Sequence, residues 1–202
     1  MTTIGVLFGL ISRPSPKRRR YSSANSAANV SGQRFAGVLR GLPSSPAARR
    51  FAVNLAIASL SDSGFAACVR AQLLQAPRAA RLVWLEVPEA AAADQFELVR
   101  ELARQLRPTG ARVGLEHAGE RIGRIERLFE LGLDYVKLDA SITRDIARDA
   151  ARAGFVNGVV AMLHSLSVQV IAEGVAEEAD ATALWQCGVD AQTGPFVSAQ
   201  RG

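Results

Sequence analysis

Apolar and polar positions follow two regimes along this chain. From about residue 51 onward, short runs rich in Val, Leu and Ile alternate with stretches of helical periodicity. The runs predict strands at residues 51–57, 81–87, 112–116, 135–139 and 168–173, and a last short strand near 195–198. The intervening stretches predict helices over 61–74, 94–106, 120–131 and 178–187, plus a longer helical stretch ending at His164 and broken near Gly154. On 94–106, Val99, Leu102, Ala103 and Leu106 share a face, and Pro108 and Gly110 end the helix. On 120–131, Ile122, Ile125, Leu128 and Phe129 are predicted to point inward, with Gly132 as C-cap. Strand-to-strand spacings of roughly 23 to 34 residues fit right-handed βαβ units.

Most predicted strands end in a polar group. These are Asn54 in FAVNLA, Glu86 in WLEVPE, Glu116 and His117 in VGLEHAG, Lys137 and Asp139 in YVKLDA, and Glu173 in VIAEGV. In a parallel α/β barrel the C-terminal strand ends converge on one face, which carries the chemistry. Carboxylates, an amide and an ammonium would therefore meet at one site able to hold metal or phosphate. Read singly, Asn54 and Glu89 serve equally well as caps or loop hydrogen-bonding groups. Asp139 would also serve as an N-cap for the helix after it.

Residues 1–49 read differently. Ser, Ala, Pro, Gly and Arg dominate, and such a stretch buries too little to offset its ordering entropy, so disorder is expected over much of it. The formal charge of +5 is unevenly spread: residues 1–50 hold nine of the 24 basic residues and none of the 19 acidic ones. The remainder therefore carries 15 basic and 19 acidic residues, a net of −4. The run Lys17-Arg18-Arg19-Arg20 suits a solvated tail, with non-specific attraction to polyanions as the alternative. Cys68 and Cys187 are isolated, which argues against a disulfide framework or a zinc site. No apolar run approaches the roughly 18 residues of a bilayer span. Residues 4–11 lack the flanks of a signal peptide, so a cytoplasmic location is expected.

Five segments together carry a family resemblance. VNLA, LEVPE, YVKLDAS, HSLSVQVIAEGV and GVDAQTG, in this order, resemble the VNLS, LExTE, YLKID, HSLGLKVIAEGV and GCDYAQG segments of EAL domains. That family comprises the cyclic-di-GMP phosphodiesterases and related receptors. The resemblance implies an α/β fold, a partial TIM-like (β/α) barrel over residues 50–202 with the first strands missing, and 1–49 as an arm outside it. It implies metal-ligand positions at Asn54, Glu86, Glu116, Asp139 and Glu173, and a lysine assisting water and phosphate at Lys137. It further implies a loop-bracing glutamate at Glu89 and a ligand-binding loop at Thr193, Gly194 and Pro195 beside Lys137.

The departures from the family pattern bear on function. Its DDFGTG loop reads Glu116-His117-Ala118-Gly119-Glu120-Arg121. His117 thus replaces a carboxylate, and Mg²⁺, which prefers octahedral oxygen ligation, should be held less well. The second glutamate of AEGVE is Ala176, and the glutamine of AQG falls at Thr193, with Gln192 beside it. No E-A-L strand precedes residue 51, although residues 4–11 or 35–39 could fill a gap. The pattern is closer to degenerate, LapD-type receptor modules, here N-terminally truncated, than to active enzymes. The expected function is non-catalytic binding of cyclic-di-GMP, needing no cofactor. The alternatives are an active phosphodiesterase using Mg²⁺ or Mn²⁺, and a vestigial or protein-interaction fragment that binds no nucleotide. The expected partners are cyclic-di-GMP and either a second copy or another protein, with no specific nucleic acid. The chain would be cytoplasmic in its own right or as the cytoplasmic part of an inner-membrane receptor.

Overall fold

The computed structural model describes residues 5–8, 11–12, 22–25, 35, 50–55, 57–62, 64–119, 121–125 and 127–200. Six parallel strands curl into a half-barrel: β4 (Phe51–Asn54), β5 (Val83–Pro88), β6 (Arg112–Ala118), β7 (Tyr135–Leu138), β8 (Gln169–Ala172) and β9 (Ala191–Gln192). They lie side by side in chain order, each joined to the next by helices or 3-10 turns on the outer side. The expected α/β fold, a partial TIM-like (β/α) barrel, is therefore the observed architecture.

Three further strands come from the N-terminal arm: β1 (Gly5–Phe8), β2 (Ile11–Ser12) and β3 (Ser22–Asn25). Strand β2 pairs antiparallel with β9, at one edge of the half-barrel. Strands β1 and β3 form their own antiparallel pair and lie beside β4, at the other edge. Phe35 is fully buried in the main core. The rest of the arm, including Lys17-Arg18-Arg19-Arg20 and the stretches expected to be disordered there, lies outside the described residues.

The strands segregate their two faces with period two. Outward residues Val53, Leu55, Val83, Leu85, Val87, Val113, Leu115, Val136, Leu138, Val170 and Ala172 join the main core with the helices. The helix Phe96–Leu106 contributes Val99, Leu102, Ala103 and Leu106 to that core, the face its periodicity predicts. Inward residues Ala52, Trp84, Tyr135, Ile171 and Ala191 form a separate, smaller apolar cluster. It is the floor of the half-barrel. Two residues further along the strands stand Asn54, Glu86, Lys137, Glu173 and Thr193, so the same pleat points these polar groups to the same side.

Three local expectations are corrected. Among the described residues of 120–131 there is no α-helix; two 3-10 turns, Ile122–Arg124 and Leu128–Leu131, stand there, with Arg127 at φ 58° between them. Ile122, Ile125 and Leu128 recur every third residue, a spacing that a three-residue turn satisfies as well as an α-helix does. Phe129 is then turned out, 65% exposed. The helix Ala150–Ser165 runs unbroken through Gly154. A glycine costs about 1 kcal/mol against alanine in a helix, less than burying Val156, Val159, Val160 and Leu163 returns. The last strand is Ala191–Gln192, and residues 195–198 lie in a helix, Pro195–Ala199. Pro195 at its first position is preorganised for a helix start.

Candidate functional site

The C-terminal ends of β5, β6, β7 and β8 bring Glu86, Glu116, His117, Lys137, Asp139 and Glu173 into one cluster of charge. Lys137 is its centre. Its Nζ lies 2.7 Å from Oε1 and 2.8 Å from Oε2 of Glu86, and 3.2 Å from Oε1 of Glu173. Lys137 is 2% exposed and Glu86 1%. Burial alone would pull the ammonium down, but Glu86 and then Glu173 outweigh it, and the Lys137 pKa ends above its ordinary value. Burial pushes the Glu86 carboxyl up, with Lys137 opposing.

His117 is a second centre. Its Nδ1 lies 3.1 Å from Oδ2 of Asp139 and 3.8 Å from Oε2 of Glu173, and its Nε2 lies 3.9 Å from Oε2 of Glu116. Neighbours on a regular strand face opposite ways, so Glu116 and His117 should not share a site. The strand pairing slips between Leu115 and Ala118, and His117 sits in the left-handed region at φ 52°. This bulge turns the ring back over the cluster. Burial lowers the His117 pKa, but Glu173, Glu116 and Asp139 raise it further, for a net upward shift. Burial and the nearby Glu86 charge push Glu116 up to about 7.

Asp139 has a second duty. Its Oδ1 accepts from Ser141 N at 2.8 Å, capping the helix Ala140–Thr143. Burial would raise its pKa, but the Ser141 N–H and His117 hold it below the ordinary range. Glu89 opens the helix Glu89–Asp94, and its Oε1 accepts from Gly119 N at 3.2 Å. It thereby ties the loop after β6 to the segment after β5. Burial raises its pKa and the Gly119 N–H opposes that rise. The loops after β8 and β9 are strapped together: Val175 N donates to Thr193 O at 3.0 Å and Phe196 N to Val175 O at 3.1 Å. Gly194 is required at this crossing, since a Cβ there would lie 2.3 Å from Val175 N. Gln192 faces the helices instead, its Nε2 donating to Ala181 O at 2.7 Å, so it does not stand in for the glutamine that Thr193 replaces.

The residues present do not fit a two-metal centre as they stand. Both oxygens of Glu86 are held by Lys137, Asp139 is divided between Ser141 and His117, and among the described residues no three His, Cys, Asp or Glu groups are arranged to hold a metal ion. Two buried oxygens, Asn54 Oδ1 and Glu173 Oε2, have no hydrogen-bond partner among the described residues. The cluster counts four carboxylates, with the Lys137 ammonium buried among them and the His117 ring over them.

Tyr135 was not singled out from the sequence, yet its Oη lies 3.3 Å from Glu86 Oε1 and 3.3 Å from Leu85 O. The signal was available in YVKLDA: Tyr135 and Lys137 are two apart on one strand and must share a face.

The EAL domain profile matches residues 28–200, and the chain belongs to this family. The match starts within the N-terminal arm. The cyclic di-GMP phosphodiesterase PdeR of Escherichia coli K12 is 27% identical over 145 residues, 72% of this chain and 22% of that protein. The chain thus spans about a fifth of the length of such curated relatives. A crystal structure of the FimX EAL domain superposes with a TM-score of 0.79 at 16% identity, covering 98% of this chain and 89% of that one. The S helix-GGDEF-EAL portion of Vibrio cholerae LapD, bound to c-di-GMP, gives 0.70 at 21% identity, covering 82% and 39%. Both are likenesses of fold. Among the described residues no helix is long and apolar enough to cross a membrane.

Proposed function

We propose that this EAL domain binds cyclic-di-GMP without hydrolysing it, in the manner of a degenerate, LapD-type receptor module. The observation that carries the reading is the occupation of the carboxylate cluster by Lys137 and His117. Metal-assisted hydrolysis needs carboxylates free to bridge two ions about 3.5–4 Å apart. Here Glu86 and Asp139 are engaged by side chains of the chain, and Ala176 adds no carboxylate. Lys137 supplies positive charge for a phosphate. The strapped loop of Thr193, Gly194 and Pro195 borders the same end of the barrel and frames the base. Binding by this reading requires no cofactor, and the site acts in the cytoplasm, where the nucleotide is a signal.

The test is hydrolysis of cyclic-di-GMP by the full chain with Mg²⁺ and with Mn²⁺. No linear dinucleotide above background is expected. Turnover that disappears in Glu86→Ala and Glu173→Ala would overturn the reading in favour of the phosphodiesterase. One observation favours that second reading: Asn54 Oδ1 and Glu173 Oε2 are buried acceptors without donors among the described residues, as metal-ligand positions would be before a cation arrives.

A further inference from the structure

The relation among Tyr135, Gly114 and Glu86 follows from strand register. Glu86 of β5 is level with Gly114 of β6, and Gly114 is level with Tyr135 of β7. A side chain at the middle position would separate the outer two. Gly114 has none, and a Cβ built there would lie 2.6 Å from the Tyr135 ring. The ring therefore crosses the bare strand, stacks on Trp84 with centroids 4.3 Å apart, and delivers its hydroxyl to Glu86. Tyr135 is fully buried and Trp84 is 2% exposed, so the phenol has little room to turn elsewhere.

We propose that Tyr135 is a positioning residue for the site: through its hydroxyl it fixes the Glu86 carboxylate, and through Glu86 it fixes the Lys137 ammonium. A carboxylate held by Lys137 alone could swing about its stem and carry the ammonium with it. The hydroxyl gives Glu86 a second anchor on the floor of the half-barrel, and the same proton is shared with Leu85 O of the Glu86 strand itself. Lys137 then stands at one place relative to Glu173 and the mouth. This role lies in the geometry of the site itself and rests on the cyclic-di-GMP reading only for its affinity consequence.

The chain offers a clean probe, because Lys17 and Lys137 are its only lysines. In a Lys17→Arg background, protein labelled with ¹³C at lysine Cε gives one lysine side-chain signal, that of Lys137. Tyr135→Phe keeps the ring and removes only the hydroxyl. It is expected to shift and broaden the Lys137 signal while far-ultraviolet circular dichroism is unchanged. Glu86→Gln is expected to shift the signal too, and adding Tyr135→Phe to Glu86→Gln is expected to change it little more. An unchanged signal in Tyr135→Phe would overturn the proposal, and so would an equal shift with and without Glu86. The affinity arm expects Tyr135→Phe to weaken cyclic-di-GMP binding about five- to tenfold, roughly 1 kcal/mol. If the wild-type chain binds no cyclic-di-GMP, the receptor reading fails, and the Lys137 signal still decides the role of Tyr135.

Discussion

The two faces of the half-barrel are built from the same six strands and obey different rules. Outward residues such as Leu85, Val113 and Val136 are fully buried and apolar, and meet helices through shape alone. Inward residues sort by height: an apolar floor of Ala52, Trp84, Tyr135, Ile171 and Ala191, then a tier of charge. The outer face tolerates exchange of one apolar group for another of similar size. The inner tier does not, because each buried charge depends on a named partner. Packing by shape and packing by paired charge are thus separated by a single alternation along each strand.

The sharpest way to break this comparison is to expose the edges that bound both faces. Deleting residues 1–49 removes β2 from β9 and β1 with β3 from beside β4. Unpaired edges of apolar parallel strands invite pairing between chains. Sedimentation velocity is expected to show a monodisperse full chain and a self-associating truncated one. Next in size is Lys137→Met, which leaves Glu86 buried without its cation and is expected to cost about 3–5 kcal/mol in urea denaturation. Adding Glu86→Gln to Lys137→Met is expected to recover most of that loss. On the outer face, Leu85→Ala has no such rescuing partner, and should cost about 2–4 kcal/mol through the cavity it leaves.

Much of this arrangement could be read from the sequence, and the reasons for the gaps are physical. Strand positions came from apolar runs that parallel strands buried on both sides must have. The strand-end residues Glu86, Lys137, Asp139 and Glu173 were legible for the same reason, since period two fixes which neighbours share a face. The turns at 120–131 were not, because three-residue spacing does not distinguish a 3-10 turn from an α-helix. Nor was the last strand, where two residues, Ala191 and Gln192, leave no periodicity to read. The pairing of Lys137 with Glu86 and Glu173 depends on stagger between strands, and the hold of Tyr135 on Glu86 depends on a glycine in a third strand. Neither is local in sequence.

Two smaller effects sharpen the contrast between faces. Asp149 caps the outer helix Ala150–Ser165 through Arg152 N at 2.9 Å, so Asp149→Ala should cost about 1 kcal/mol by thermal denaturation. It should leave ligand affinity unchanged. On the inner face, the Glu116 carboxyl is raised from 4.5 to about 7 by burial and the Glu86 charge. A carboxyl with a raised folded pKa binds its proton more tightly when folded, so its contribution is largest below 4.5 and declines as pH rises toward 7. Glu116→Gln is expected to flatten the pH dependence of stability across that window, read from urea midpoints at several pH values.

The proposal that Lys137 and His117 hold the carboxylate cluster and leave a site that binds but does not cleave is tested most directly by calorimetry. Cyclic-di-GMP is titrated into the folded full chain with Mg²⁺ present, and the nucleotide recovered from the cell is then chromatographed. Saturable heat is expected, lost in Lys137→Ala protein shown to be folded, together with recovery of intact cyclic dinucleotide. Recovery of the linear dinucleotide, or no heat at high micromolar ligand, would contradict it.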